Sequence, residues 1–143
     1  MTLVVDASVA LKWFLADEPL APEAFALVRD EAVLIAPDIL IAEVCNAAWR
    51  LARLGRIEQA EVTDIAAIVP RFFDELVGGA ALAPRATIIA RQLDHPVYDC
   101  LYVALAEARA VRLITADGRL LNKLRDTPWA ANAVSLADYP AGT

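Results

Sequence analysis

Four short apolar runs constrain what this chain can fold into more than any other feature. Leu3-Val4-Val5, Val33-Leu34-Ile35-Ala36, Leu113-Ile114-Thr115 and Ala133-Val134-Ser135 have strand length and little polar alternation. Strands that are apolar on both faces belong inside a sheet covered on both sides. Longer stretches with helical periodicity lie between the runs, and a helical crossover is what lets successive strands run parallel. The expectation is an α/β fold of three layers, α/β/α, around a central and mainly parallel sheet. Leu76-Val77, just before Gly78-Gly79, reads as a further short strand.

The helical stretches have their own boundaries. Ser8 to Leu15 reads as a helix closed by the turn Asp17-Glu18-Pro19, and Pro22 to Arg29 as one with proline in its first turn. Asp38 is placed as the N-cap of a helix from Ile39 to Leu54, with Gly55 just past its end. Glu43, Asn46, Arg50 and Arg53 follow one another at steps of three, four and three, which is one helix face. The other three sides of that helix are expected to be buried. Further helices are read at Glu58 to Phe73, bent or ended near Pro70, at Pro84 to Leu93, at Asp99 to Ala110 and at Gly118 to Arg125. The Asp99 helix is almost wholly apolar and so belongs in the interior. No repeat, linker or low-complexity tract divides the chain, and residues 1–143 are expected to form a single domain.

Composition narrows the function. Hydrophobic residues make up 59% of the chain, above the usual globular share, so part of the surplus is expected to cover a subunit or partner interface. Charges interrupt every apolar stretch before it reaches membrane-spanning length. Met1-Thr2-Leu3-Val4-Val5-Asp6 has no basic segment and meets an acid at once, unlike a signal peptide, so a cytoplasmic location is expected. Cys45 and Cys100 read as plain buried thiols. The single histidine, His95, argues against a zinc site of the His/Cys type. It precedes Pro96, no nucleophile-elbow motif accompanies it, and it reads as a turn residue without a role. The net charge of −6 argues against a broad nucleic-acid surface, unless the acids cluster at a metal with Lys12, Arg119 and Lys123 at its rim.

The acids do fall in a pattern. Asp6 closes the first strand, Glu43 lies in an apolar helical stretch, Asp99 opens the apolar helix, and Asp117 follows Leu113-Ile114-Thr115. Ligands of open α/β sheets bind outside the carboxyl ends of the strands, and all four acids can converge there. Each has a bland reading: Asp6 and Asp99 as helix caps, Asp117 with Gly118 as a turn, Glu43 as part of a solvated stripe. Together they suit one or two divalent cations held by hard oxygen ligands, Mg²⁺ or alternatively Mn²⁺. Such a cation relieves the mutual repulsion of the carboxylates and activates water toward a phosphodiester. Ser8 and Thr115 have hydroxyls beside Asp6 and Asp117.

Asp6-Ala7-Ser8, Glu43-x-x-Asn46, Tyr98-Asp99-Cys100-Leu101-Tyr102-Val103-Ala104-Leu105-Ala106 and Leu113-Ile114-Thr115-Ala116-Asp117 resemble the motifs of the PIN-domain nucleases. Size and motif order resemble the stand-alone VapC-type toxins of type II (VapBC) toxin–antitoxin pairs, over essentially the whole chain. The resemblance implies a PIN-like fold and a Mg²⁺-dependent endoribonuclease that hydrolyses RNA. It implies a cognate VapB-like antitoxin as inhibitor and a homodimer. By the same resemblance Asp6, Glu43, Asp99 and Asp117 form a catalytic and metal-binding quartet, with Ser8, Asn46 and Thr115 in support.

Other functions fit less well. A housekeeping PIN-domain nuclease for RNA processing would share every motif. An aspartate-nucleophile phosphatase wants Asp-x-Asp after the first strand, where this chain has Asp6-Ala7-Ser8. A receiver-like signalling domain wants paired acids there and a late lysine. A purely structural module has no need of four acids at one edge.

Overall fold

The computed structural model describes residues 1–139. Five strands form one sheet: β1 (Thr2–Val5), β2 (Val33–Pro37), β3 (Glu75–Val77), β4 (Arg112–Thr115) and β5 (Ala133–Ser135). Their order is β3-β2-β1-β4-β5, and every pairing is parallel. β1 lies in the middle, with Leu3 beside Leu34 on one side and Val4 beside Leu113 on the other. That position explains its composition. Both of its faces are covered, and Val4 and Val5 are fully buried.

Seven helices surround the sheet: α1 (Ala7–Ala10), α2 (Ala21–Arg29), α3 (Ile39–Arg53), α4 (Gln59–Ile68), α5 (Gly79–Leu93), α6 (Val97–Arg109) and α7 (Gly118–Leu124). The connections through α1 to α4 carry the chain from β1 outward to β3. The return through α5 and α6 runs the opposite way, to β4. Right-handed crossovers advancing in opposite directions lie on opposite faces, which gives the three layers. α6 crosses β1, β2 and β4, and α5 packs along its outer side. Leu101, Tyr102, Val103, Ala104, Leu105 and Ala106 of α6 are all buried, as an apolar helix between sheet and helix must be.

Several boundaries differ from the sequence reading. The first helix is one turn of α-helix followed by a 3-10 turn, Leu11–Phe14. The helix after Glu58 gives way at Val69–Phe72, around Pro70, to another 3-10 turn. α5 starts at Gly79 and contains Pro84 rather than beginning with it. α6 starts at Val97, which makes Asp99 its third residue and not its cap. Asp38 stands at the N-cap position of α3 without capping: its backbone is helical, and its carboxylate accepts from the Gly79 N–H at 3.2 Å instead. α3 does end as read, with Gly55 in the left-handed region at φ 76°. It buries only one side, Leu40, Val44 and Ala48, while Trp49 stays 46% exposed, so the expectation of three covered sides fails. Of the two thiols, Cys100 is buried and Cys45 only partly so. Among the described residues, no helix is long and apolar enough to cross a membrane.

Candidate active site

Strand order reverses between β1 and β4, since the chain leaves β1 toward one edge of the sheet and β4 toward the other. The crevice beyond their carboxyl ends is where such folds place ligands. Asp6 stands at that point. Its N–H bonds the Ile114 carbonyl at 3.1 Å and extends the ladder, while its carboxylate accepts from the Ala7 N–H at 2.9 Å and caps α1. Strand thus passes to helix with no loop between, and the carboxylate is only 5% exposed.

Two hydroxyls complete its surroundings. Ser8 Oγ donates to Asp6 Oδ2 at 2.7 Å, and Thr115 Oγ1, fully buried at the end of β4, donates to the same oxygen at 2.8 Å. Each hydroxyl also accepts from the β4–α7 connection: Ser8 from the Ala116 N–H at 3.0 Å, Thr115 from the Asp117 N–H at 3.0 Å. The two supporting hydroxyls therefore join Asp6 to the segment that carries Asp117. Burial pushes the Asp6 carboxyl above its usual range; the bonds from Ser8 and Thr115 oppose the rise, and the charges of Asp99 and Asp117 add to it.

The other acids approach from three helices. Glu43, half-buried on α3, accepts at 2.6 Å from the hydroxyl of Tyr102, a fully buried residue of α6. Its carboxyl is also raised, first by burial, against the Tyr102 bond and with the charges of Asp6 and Asp99. The Tyr102 hydroxyl is in turn held protonated by burial, by the charges of Asp6 and Glu43 and by its bond to Glu43. Asp99 lies one helical turn from Tyr102 on the same face of α6. Asp117 caps α7, accepting from the Arg119 and Leu120 N–H groups at 2.9 and 3.3 Å. The bland readings of Asp6 and Asp117 as caps are thus true of their geometry. They do not remove the charge, which each acid still presents to its neighbours.

His95 lies in the turn between α5 and α6, as expected, but its side chain is held. Its side chain is only 6% exposed, and Nε2 donates to Asp99 Oδ2 at 2.6 Å. The histidine precedes α6, so helical spacing does not point to the pair; the one legible signal was a lone histidine placed four residues before an acid. Tyr102 was part of a motif, but its bond to Glu43 depends on how α3 meets α6. Of the supporting residues, Asn46 is exposed and shares with Ile39, Ala42, Glu43 and Tyr98 a shallow hollow of ≈ 240 Å³. The Lys12 amine is turned to the Pro19 carbonyl at 2.8 Å, whereas Arg119 and Lys123 are exposed on α7. A larger hollow, ≈ 450 Å³, lies between α7 and β5 and is lined by none of the four acids. Chemistry rather than volume marks the site.

The donor set suits a hard divalent cation in kind: carboxylate oxygens, two of them raised by burial and like charge, with no lysine or arginine ion pair to any of the four among the described residues. Among those residues the acids are not drawn together into a group of three that could already grip an ion. They feel one another as charges, and each is held by its own donor.

A parallel α/β sheet of three layers with acids near the carboxyl ends of its central strands defines the class, and comparison with known proteins names the family. The PIN-domain family model matches residues 3–126, and this chain belongs to the PIN-domain family. Ribonuclease VapC3 of Pyrobaculum aerophilum is 32% identical over 125 residues, 86% of this chain and 95% of that protein. The crystal structure of PAE2754 from the same organism aligns with TM-score 0.73 at 24% identity, over 96% of this chain and 90% of that one. VapBC2 from Rickettsia felis, solved bound to a promoter DNA fragment, aligns with TM-score 0.63 at 10% identity, over 94% of this chain and 98% of that one. At these identities the two structures speak to the fold.

Proposed function

We propose that this protein is a metal-dependent endoribonuclease of the VapC kind, the toxic member of a type II toxin–antitoxin pair. The observation that supports the reading is that Asp6 and Glu43 are raised by burial and by the charges of their fellow acids, Asp99 and Asp117 among them, with no lysine or arginine ion pair to any of the four among the described residues. The name of the ribonuclease relative supports the reaction class. In this proposal the four acids hold Mg²⁺, with Mn²⁺ as substitute, and RNA is the substrate.

The divalent cation would supply an activated water near neutral pH and neutralise charge that builds on the phosphoryl oxygens. The chain's own part is orientation. Ser8 and Thr115 fix one oxygen of Asp6, Tyr102 fixes one oxygen of Glu43, and the cap at α7 fixes one oxygen of Asp117. Each carboxylate is left with further lone pairs at a settled angle. Preorganisation of this kind removes the cost of gathering ligands during the reaction. Asn46, one turn beyond Glu43 and exposed, would support the quartet from α3.

The partners follow the same reading. An antitoxin segment would use the hollow of Ile39, Ala42 and Tyr98 for apolar side chains, and an arginine or lysine beside them would reach Glu43. The exposed Trp49 of α3 and Leu54 just past its end support a homodimer. A cytoplasmic location goes with an RNA substrate. Cleavage of a defined RNA by the purified protein, with Mg²⁺ and with chelator, tests the core of the proposal. Cleavage should need the ion and should disappear in Asp6→Asn and in Asp99→Asn. Undiminished cleavage by both variants would overturn the site.

A further inference from the structure

We infer that His95 is a positioning residue for the cation: its ring holds one oxygen of Asp99 and leaves the other for the ion. The inference rests on the proposed metal-dependent site and adds to it a residue outside the acidic quartet.

The geometry at the α5–α6 corner is the ground for it. Asp94 ends α5 in the left-handed region at φ 52°, and the His95 N–H bonds back to the Ala90 carbonyl at 3.1 Å. Pro96 follows as the residue before α6 and restricts the His95 backbone. The Cys100 thiol meets the His95 carbonyl at 3.9 Å. The backbone of His95 is therefore fixed on both sides, and its ring, 6% exposed, has little freedom. From this mount Nε2 reaches Asp99 Oδ2 at 2.6 Å. A carboxylate accepts only, so the nitrogen carries the proton.

Without that bond Asp99 would have another place to go. It is the third residue of α6, and a carboxylate there can turn back to the unpaired N–H groups of the first turn. The histidine draws one oxygen away from the backbone. Carboxylates that bind metals are themselves held by hydrogen bonds, and loss of such an outer partner typically costs about 10- to 100-fold in metal affinity. His95 is the partner of this kind for Asp99, as Ser8 and Thr115 are for Asp6 and Tyr102 for Glu43.

Three variants of the full chain separate this role from mere packing. His95→Gln keeps an N–H donor about where Nε2 stands. His95→Asn carries its donor at the level of Nδ1 and falls short. His95→Leu fills the space with no donor. Mn²⁺ affinity is read by electron paramagnetic resonance of the free ion at one fixed pH, beside metal-free melting temperature and RNA cleavage. His95→Leu and His95→Asn should bind Mn²⁺ about 10- to 100-fold more weakly than the native chain, and His95→Gln should regain most of the loss. Cleavage at saturating Mn²⁺ should recover toward native kcat in all three while the ion requirement stays shifted. A merely structural histidine would lower the metal-free melting temperature and leave Mn²⁺ affinity unchanged; that result, or a glutamine variant no better than leucine, overturns the inference. If the native chain binds no Mn²⁺, or binds it unchanged after Asp6→Asn with Asp99→Asn, the metal site fails and His95's role with it. Native binding that His95→Leu leaves intact defeats only the histidine.

Discussion

Glu43 shows at the scale of one residue what the site costs the fold. Its folded carboxyl is raised above the ordinary 4.5, so the proton is bound more tightly in the folded chain than in the unfolded one. The stability that goes with it is fully present below pH about 4.5 and is lost as pH rises through the raised folded value. Glu43→Gln keeps an acceptor for the Tyr102 hydroxyl and removes the charge. In chelator, native and variant should melt alike near pH 4, and the variant should melt higher as the pH approaches 7. A gap that closes with rising pH would contradict the shift. Thr115 gives the opposite case. Thr115→Val has the same shape but strips Asp6 of a donor at a fully buried position and leaves the part-buried Asp117 N–H without its acceptor. A loss of about 2 kcal/mol is expected in chemical denaturation, as for other buried polar groups left unpaired. The acids were legible in the sequence because a carboxylate beside an apolar run is unusual whatever the fold. Their partners were not: Tyr102 is separated from Glu43 by 59 positions, and only the tertiary fold brings the two side chains together.

At the scale of elements, the strands were read well and the helix starts poorly, for one physical reason. A strand in a parallel sheet is fixed by a short apolar run, and β1, β2 and β4 need nothing else. A helix start depends on which of several local signals prevails. Pro84 suggested a first turn, yet α5 begins at Gly79 and runs through Ala80, Ala81, Leu82 and Ala83, residues that favour helix enough to carry the proline inside. The Pro84 ring then faces the Ala80 carbonyl with no N–H to give it. Because Pro84 is exposed, Pro84→Ala removes no packing. It should stabilise the protein by about 1–3 kcal/mol, read as a higher urea midpoint at unchanged slope. Asp38 fails as a cap for a related reason: β2 and β3 are neighbours, so the start of α5 lies within reach and its Gly79 N–H takes the carboxylate. That competition crosses the fold and leaves no trace near Asp38 in the sequence.

For the whole molecule, charge and stability are tied through the same edge of the sheet. Protons and a divalent cation compete for Asp6 and Glu43, since both relieve burial and mutual repulsion. At pH about 4 protons do so, and added Mg²⁺ should change the melting temperature little. As pH rises, the metal-free fold loses the contribution of these two groups while the cation gains its ligands. A ligand present at 100 times its dissociation constant stabilises the folded state by about 2.7 kcal/mol. The melting curves with Mg²⁺ and with chelator should therefore separate steadily between pH 4 and 7, with the Mg²⁺ curve above. The sign follows from the raised carboxyls: had they been lowered by an arginine or lysine, the site would already be compensated and the two curves would stay together. Asp6→Asn with Asp99→Asn should bring them together by removing the ligands. Differential scanning calorimetry across that range measures the separation directly, and a separation unchanged in the double variant would place the cation elsewhere on the protein.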